Sequence, residues 1–162
     1  MLITLLNDKT QQSVIQVFNQ IEQSVGPEIF RQTFPLILTD NGSEFLDPLS
    51  LETSCKDSEK RTSIYYCDPN CSFQKGGIEK NHEYIRYVVP KGNTFNNFSQ
   101  ADIDLLMNNI NSTARNNLNG HTPMELSTLL LHPKIINFLN LKVIQHDEIC
   151  LLPKLLFKKS SV

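Results

Sequence analysis

The sequence predicts an α/β domain, and three features of its 162 residues lead there. An apolar run, Met1 to Leu6 (MLITLL), precedes an amphipathic helical pattern and then a second apolar run, Leu36 to Leu38, so the chain opens strand, helix, strand. The second run enters Asp40-Asn41-Gly42, where an Asn-Gly pair takes positive φ cheaply and ends the strand. A further strand-like stretch, Ser63 to Cys67 (SIYYC), is closed by Asp68-Pro69-Asn70 and leads to a helical pattern that stops at Pro90.

In chain order, MLITLL reads as a buried strand and Asn7 to Thr10 as a polar turn. Val14, Val17, Phe18, Ile21 and Val25 then recur at helical spacing until Gly26-Pro27, and Pro27 opens a second short helix carrying Ile29, Phe30 and Phe34. Leu36 to Leu38 is an unbroken apolar run after Pro35, the pattern of a strand buried on both faces. It presents Asp40 at its carboxyl edge, where sites in open α/β sheets collect. Glu52 to Thr62 is charged and without period, so it reads as an exposed loop. Ser99 with Asp102 three residues on marks a helix start, continued by Ile103, Leu106, Met107 and Ile110. Six asparagines around Arg115 (Asn108, Asn109, Asn111, Asn116, Asn117, Asn119) read as a surface of poor helix propensity, or as phosphate contacts. Thr122-Pro123 starts a last helix, and residues 127–162 read as a helical or irregular appendage after a core of residues 1–126.

A chain of this length with 40% hydrophobic residues suffices for one domain core. No stretch has the length and apolarity of a membrane span, and no leader pattern opens the chain, so a cytoplasmic protein without a membrane partner is expected. The four cysteines are expected as reduced thiols. Cys67, Cys71 and His82 lack the matching second pair of a zinc site. A net charge of −2 lacks the basic excess of a free DNA-binding domain, although an acidic metal-dependent nuclease core is an exception to that rule.

Chemistry concentrates in the stretch 73–90 (FQKGGIEKNHEYIRYVVP). At about 100° per residue, Lys75, Glu79, His82 and Arg86 fall within an arc of roughly 60°, apart from Ile78, Ile85 and Val88. One carboxylate and three cationic or titratable groups thus share a helix face. The bland alternative, a solvated face, fits Lys80 and Lys91 equally well. Asp40 alone is equally the acid of a simple turn, capping its own backbone.

TDNGSEF, then QKGGIEKNHEYIR, then an Asn-rich helix and TPMEL resemble, in that order, the catalytic core of DDE transposases and retroviral integrases, with the closest likeness to the IS-thirty family of bacterial insertion-sequence transposases. The resemblance runs from about Met1 to Leu126. It implies an RNase H-like mixed sheet flanked by helices, Mg²⁺ or Mn²⁺ as cofactor, and DNA as partner in strand cleavage and transfer. Asp40 and Glu79 match the second and third acids of the family's metal site, and Gln74 matches a DNA-contacting position. Lys75, Asn81, His82, Arg86 and Lys91 are the further DNA-contact candidates beside Glu79.

The family's first Asp has no counterpart, because the strand that carries it would lie before Met1. Asp8 stands where the family has an ordinary turn residue. The expectation is therefore a core lacking its first strands, inactive alone, that associates with itself or with full-length transposase. A remnant that binds DNA or transposase without catalysis is the other reading. In-line phosphoryl transfer needs charge stabilised at both the entering and the leaving oxygen. A transposon-end cleavage assay with Mg²⁺ or Mn²⁺ is accordingly expected to show no product for this chain; product that Asp40→Ala abolishes would mean another acid, Asp8 first, completes the site.

Overall fold

The computed structural model describes residues 1–68 and 76–157. They form two compact units, neither contiguous in sequence: a sheet unit of Leu6–Gly76 with His132–Phe138, and a helical unit of Met1–Leu5, Gly77–Leu131 and Leu139–Val162. None of the described helices is long and apolar enough to cross a membrane.

The sheet unit begins with α1 (Gln11–Val25). Its start is fixed by Asp8 and Thr10: the Thr10 hydroxyl accepts from the Ser13 N–H at 3.2 Å, and the Asp8 carboxylate accepts from Thr10 and Ser13. Val14, Ile21 and Val25 are its buried stripe, as the helical spacing requires. Gly26, at φ +93°, ends α1 and leads into α2 (Pro27–Thr33), with Pro27 at the first turn. Phe30 is buried between Phe18 and Phe34 at ring separations of 6.1 and 5.1 Å. β1 (Leu36–Thr39) pairs in parallel with β2 (Ser63–Tyr66), Leu36 opposite Ser63 and Thr39 opposite Tyr66. Between them lie α3 (Pro48–Glu52), capped by Asp47, and a tight reversal. Val14, Leu51 and Ile64 form the core, lined by Ile15, Phe18, Ile37 and Phe45; Ile135 of α7 (Pro133–Phe138) is also buried.

Two sequence expectations fail here. β1 is not buried on both faces: Leu36 is 56% exposed, Leu38 40% and, on the same side of the neighbouring strand, Tyr65 55%. An apolar run signals burial on average, but in this two-stranded sheet only the Ile37–Thr39 side meets helices and core. The charged stretch 52–62 is not wholly an exposed loop. Its tip is exposed, but its ends close a hairpin through Ser54 N–H to Glu59 O at 2.8 Å and Arg61 N–H to Glu52 O at 2.7 Å. Ser54, Arg61 and Thr62 are buried.

Arg61 is the cause of that closure. Its guanidinium donates to the carbonyls of Leu51 and Ser50, to Asn19 Oδ1 at 2.7 Å and to Glu22 Oε2 at 3.0 Å, and lies over the rings of Phe18 and Phe30 at about 5.5 Å. Both members of the Arg61–Glu22 pair are fully buried. Glu22 Oε2 also accepts from the Cys55 N–H at 3.0 Å.

In the helical unit, α4 (Gly76–Val88) with the following Val89, and α5 (Gln100–Asn111), contribute Val88, Val89, Leu106 and Ile110 to a core covered by Met1, Ile3, Tyr84, Ile85, Phe98 and the tail leucines. α5 starts where the sequence places it, in a capping box of Ser99 and Asp102, and α6 (Pro123–Leu130) in one of Thr122 and Glu125. Met1 to Leu6 has no regular structure and is not a strand. Side chains of α5 bond parts of its backbone: Leu5 N–H donates to Gln100 Oε1 at 2.9 Å, and Asn111 Nδ2 donates to Met1 O at 2.8 Å.

The asparagines of α5 do the same for the tail. Asn108 donates to Asn140 O and accepts from Lys142 N–H, Ser112 accepts from Ile144 N–H, and Asn109 accepts from Cys150 N–H at 2.8 Å. Asn108, Asn109 and Asn111 are thus buried clamps, whereas Asn116, Asn117 and Asn119 are exposed.

Three expectations follow. Arg61→Ala strands a buried Glu22 carboxylate and should destabilise the sheet unit by about 3–5 kcal/mol in urea denaturation. Asn109→Ala leaves the Cys150 N–H unpaired and should cost the helical unit about 1–3 kcal/mol in the same measurement. The third concerns acid. Hydrogen bonds from Arg31, both at 2.8 Å, hold the Asp57 carboxyl at about 2, below its ordinary 3.8. For Glu22, burial pushes upward, but hydrogen bonds from Ser54, Cys55 and Arg61 outweigh it and leave the carboxyl below the usual range. Depressed carboxyls stabilise the fold above their unfolded pKa and lose that contribution as pH falls through the folded one. Stability of the sheet unit should therefore drop between about pH 4 and pH 2, where Asp57 titrates, with Glu22 acting in the same direction, and Asp57→Asn should flatten that loss.

Candidate nucleic-acid and metal site

Asp40 follows β1 directly and is exposed. Its Oδ1 accepts from the Gly42 N–H at 3.3 Å, and the Phe45 N–H donates to Gly42 O at 3.0 Å, so an Asx turn runs into a short 3₁₀ turn, Ser43–Phe45. The strand ends without the positive φ that Asn-Gly suggested: Gly42 sits at φ −64°. The chain is reversed here by the Asp40 side chain and the 3₁₀ turn. Tyr66, at the end of β2, donates its hydroxyl to Phe45 O and ties the turn to the sheet. Asp40 therefore stands at the carboxyl edge of a parallel pair, as read from the sequence.

Asp8, the nearest alternative acid in sequence, is committed elsewhere. Hydrogen bonds from Ser13 and then Thr10 lower its carboxyl from the usual range, and it serves the start of α1.

The second half of the candidate set lies on α4, which belongs mainly to the helical unit. Glu79 is in the first turns of that helix. His82, Arg86 and Lys80 are exposed along it, and Lys91 is exposed just beyond it. Lys80 pairs with Glu83 at 2.5 Å, which raises its ammonium above its ordinary value, and lies over the Tyr84 ring at 5.7 Å. Asn81 differs from its neighbours. It is half-buried, and its Oδ1 accepts from Arg115 Nη1 at 3.1 Å. Gln74 and Lys75 lie outside the described residues, as does Cys71 of the zinc alternative. Cys67 is buried at the end of β2, its N–H donating to Thr39 O at 2.8 Å.

Sequence reasoning missed the inward role of Arg115, which it grouped with the asparagines as a surface of poor helix propensity or as phosphate contacts. The structure turns it onto α4, its guanidinium 5.1 Å from the Tyr84 ring centre. Among the described residues no three acids, histidines or cysteines gather as a metal site.

Against curated proteins, the chain matches transposases of insertion sequences. It is 28% identical over 134 residues to the transposase for insertion sequence element IS1086 of Cupriavidus metallidurans, covering 82% of this chain and 37% of that protein. The resemblance to insertion-sequence transposases holds. The transposase for element IS4351 of Bacteroides fragilis is 26% identical over 102 residues, 63% of this chain and 30% of the relative. Transposase InsI for element IS30A of Escherichia coli is 32% identical over 63 residues, 39% and 16% respectively. The chain thus spans well under half the length of these transposases. No family model and no solved structure matches it.

Proposed function

We propose that the chain carries part of the catalytic region of a DNA transposase, an RNase H-like domain in which Asp40 and Glu79 supply two of the site carboxylates. The observation that carries this reading is the pairing of transposase similarity over most of the chain with an acid at the carboxyl edge of a parallel strand pair. Carboxylate oxygens are the hard donors that Mg²⁺ or Mn²⁺ prefers, so Asp40 and Glu79 suit such an ion by chemistry, although they fall short of a full ligand set. When bound, the ion would supply charge stabilisation at the oxygens of a phosphodiester under in-line attack. This chain's own contribution is to place Asp40 by an Asx turn and to offer a helix with exposed His82 and Arg86.

DNA is the substrate class the reading requires, met by His82, Arg86 and Lys91 together with Gln74 and Lys75. The chain's net charge of −2 means the grip is local, along this one helix, rather than a property of the whole surface. One observation favours a second reading, in which the chain binds DNA or a full-length transposase without catalysing: Asp8, the nearest other acid in sequence, has its Oδ1 engaged by Thr10 and Ser13 at the start of α1.

The experiment is a salt titration of binding to short duplex DNA. Lys75→Ala and Arg86→Ala should each weaken binding with little regard to sequence and lower the slope of log K against log salt by about 0.9. An unchanged slope in both variants would remove α4 from the interface.

A further inference from the structure

Arg115 is held in an unusual balance. Its backbone is locked by three hydrogen bonds: its N–H donates to His121 O, and its carbonyl accepts from Leu118 and Gly120 N–H, all at 3.0–3.1 Å. Asn119 and Gly120, at φ +53° and +85°, make the turn that permits this. Its side chain reaches across to α4, where Nη1 donates to Asn81 Oδ1 and the guanidinium covers Tyr84. Nε and Nη2 are buried without an acceptor. Leaving donors of a charged group unpaired is costly, and a carboxylate partner would remove much of that cost. Among the described residues the side chain's holds are therefore Asn81 and the Tyr84 ring, both on the same helix.

We infer that Arg115 is a positioning residue that fixes the rotation of α4 and with it the direction of the proposed DNA-facing side. At about 100° per residue, positions 81 and 84 lie some 60° apart on one side of the helix, position 79 is about 160° from position 81, and position 86 is about 140° from it. Arg115 thus grips the side turned away from the proposed DNA contact, where it touches no substrate. Two different contacts one turn apart, a directed hydrogen bond and a planar stack, resist rotation where an apolar contact would allow slippage. Lysine cannot reproduce both, having neither the planar fork nor its stacking face. The inference rests on the proposed reading of α4 as the side of the domain that meets DNA.

The test is Arg115→Lys in the full chain, which keeps the charge and so leaves long-range attraction for DNA in place. The expected result is a salt slope lowered by about 0.9, as if the Arg86 contact were lost, with an unchanged urea midpoint. Backbone amides from Asn81 to Val88 should exchange about tenfold faster. Tyr84→Leu removes the ring without altering any charge and should give the same two readouts, which keeps the test open should the lysine variant fail to fold. If Arg86→Ala lowers the slope but Arg115→Lys and Tyr84→Leu do not, the inference is overturned alone. If Arg86→Ala itself leaves the slope unchanged, the reading of α4 is overturned and this inference with it.

Discussion

Arg61 is a permanent charge in the middle of an apolar core, and the sheet unit is arranged to satisfy it. Four acceptors and two aromatic rings surround it, drawn from α1, α2 and α3. Because Arg61 immediately precedes Thr62 and β2, anchoring it fixes where β2 begins and hence its register on β1. That register sets Thr39 opposite Tyr66, and Tyr66 in turn holds the turn after Asp40. The position of the candidate acid thus traces back to one buried guanidinium. A buried ion pair is not in itself a strong source of stability; its value here is that few other arrangements of this chain could satisfy it.

The helical unit solves a different problem by related means. Segments outside helices need partners for their backbone groups, and strands usually supply them. Here the head, Met1 to Leu5, and the tail after Leu139 are bonded to the Gln, Asn and Ser side chains of α5 and its cap. Carboxamides carry both a donor and an acceptor, so an asparagine on a helix can stand in for a neighbouring peptide group. This accounts for the asparagine content of a helix whose propensity it lowers.

The helix starts at Ser99 and Thr122 were the most legible part of the sequence, because these caps act through local chemistry that needs no tertiary partner. The apolar stripe of α1 and the Gly26-Pro27 break were legible for the same reason. What was not legible depended on distant partners. MLITLL has the composition of a strand, but whether it becomes one depends on whether another strand lies beside it. Arg61 sits in a run of charges that reads as solvated, and nothing local reveals that Glu22, 39 residues earlier, awaits it. Leu36 and Leu38 read as core although one side of their sheet is open. Asp40 was legible as the acid at a strand end, though by a different turn from the one expected.

The central proposal is that Asp40 and Glu79 are both ligands of a hard divalent cation. Calorimetric titration of Mn²⁺ into the intact chain, beside Asp40→Asn and Glu79→Gln, tests it most directly. The account predicts one class of weak sites that either substitution abolishes, and a double substitution that costs no more than each single one. Independent, additive losses, or binding indifferent to both, would contradict it.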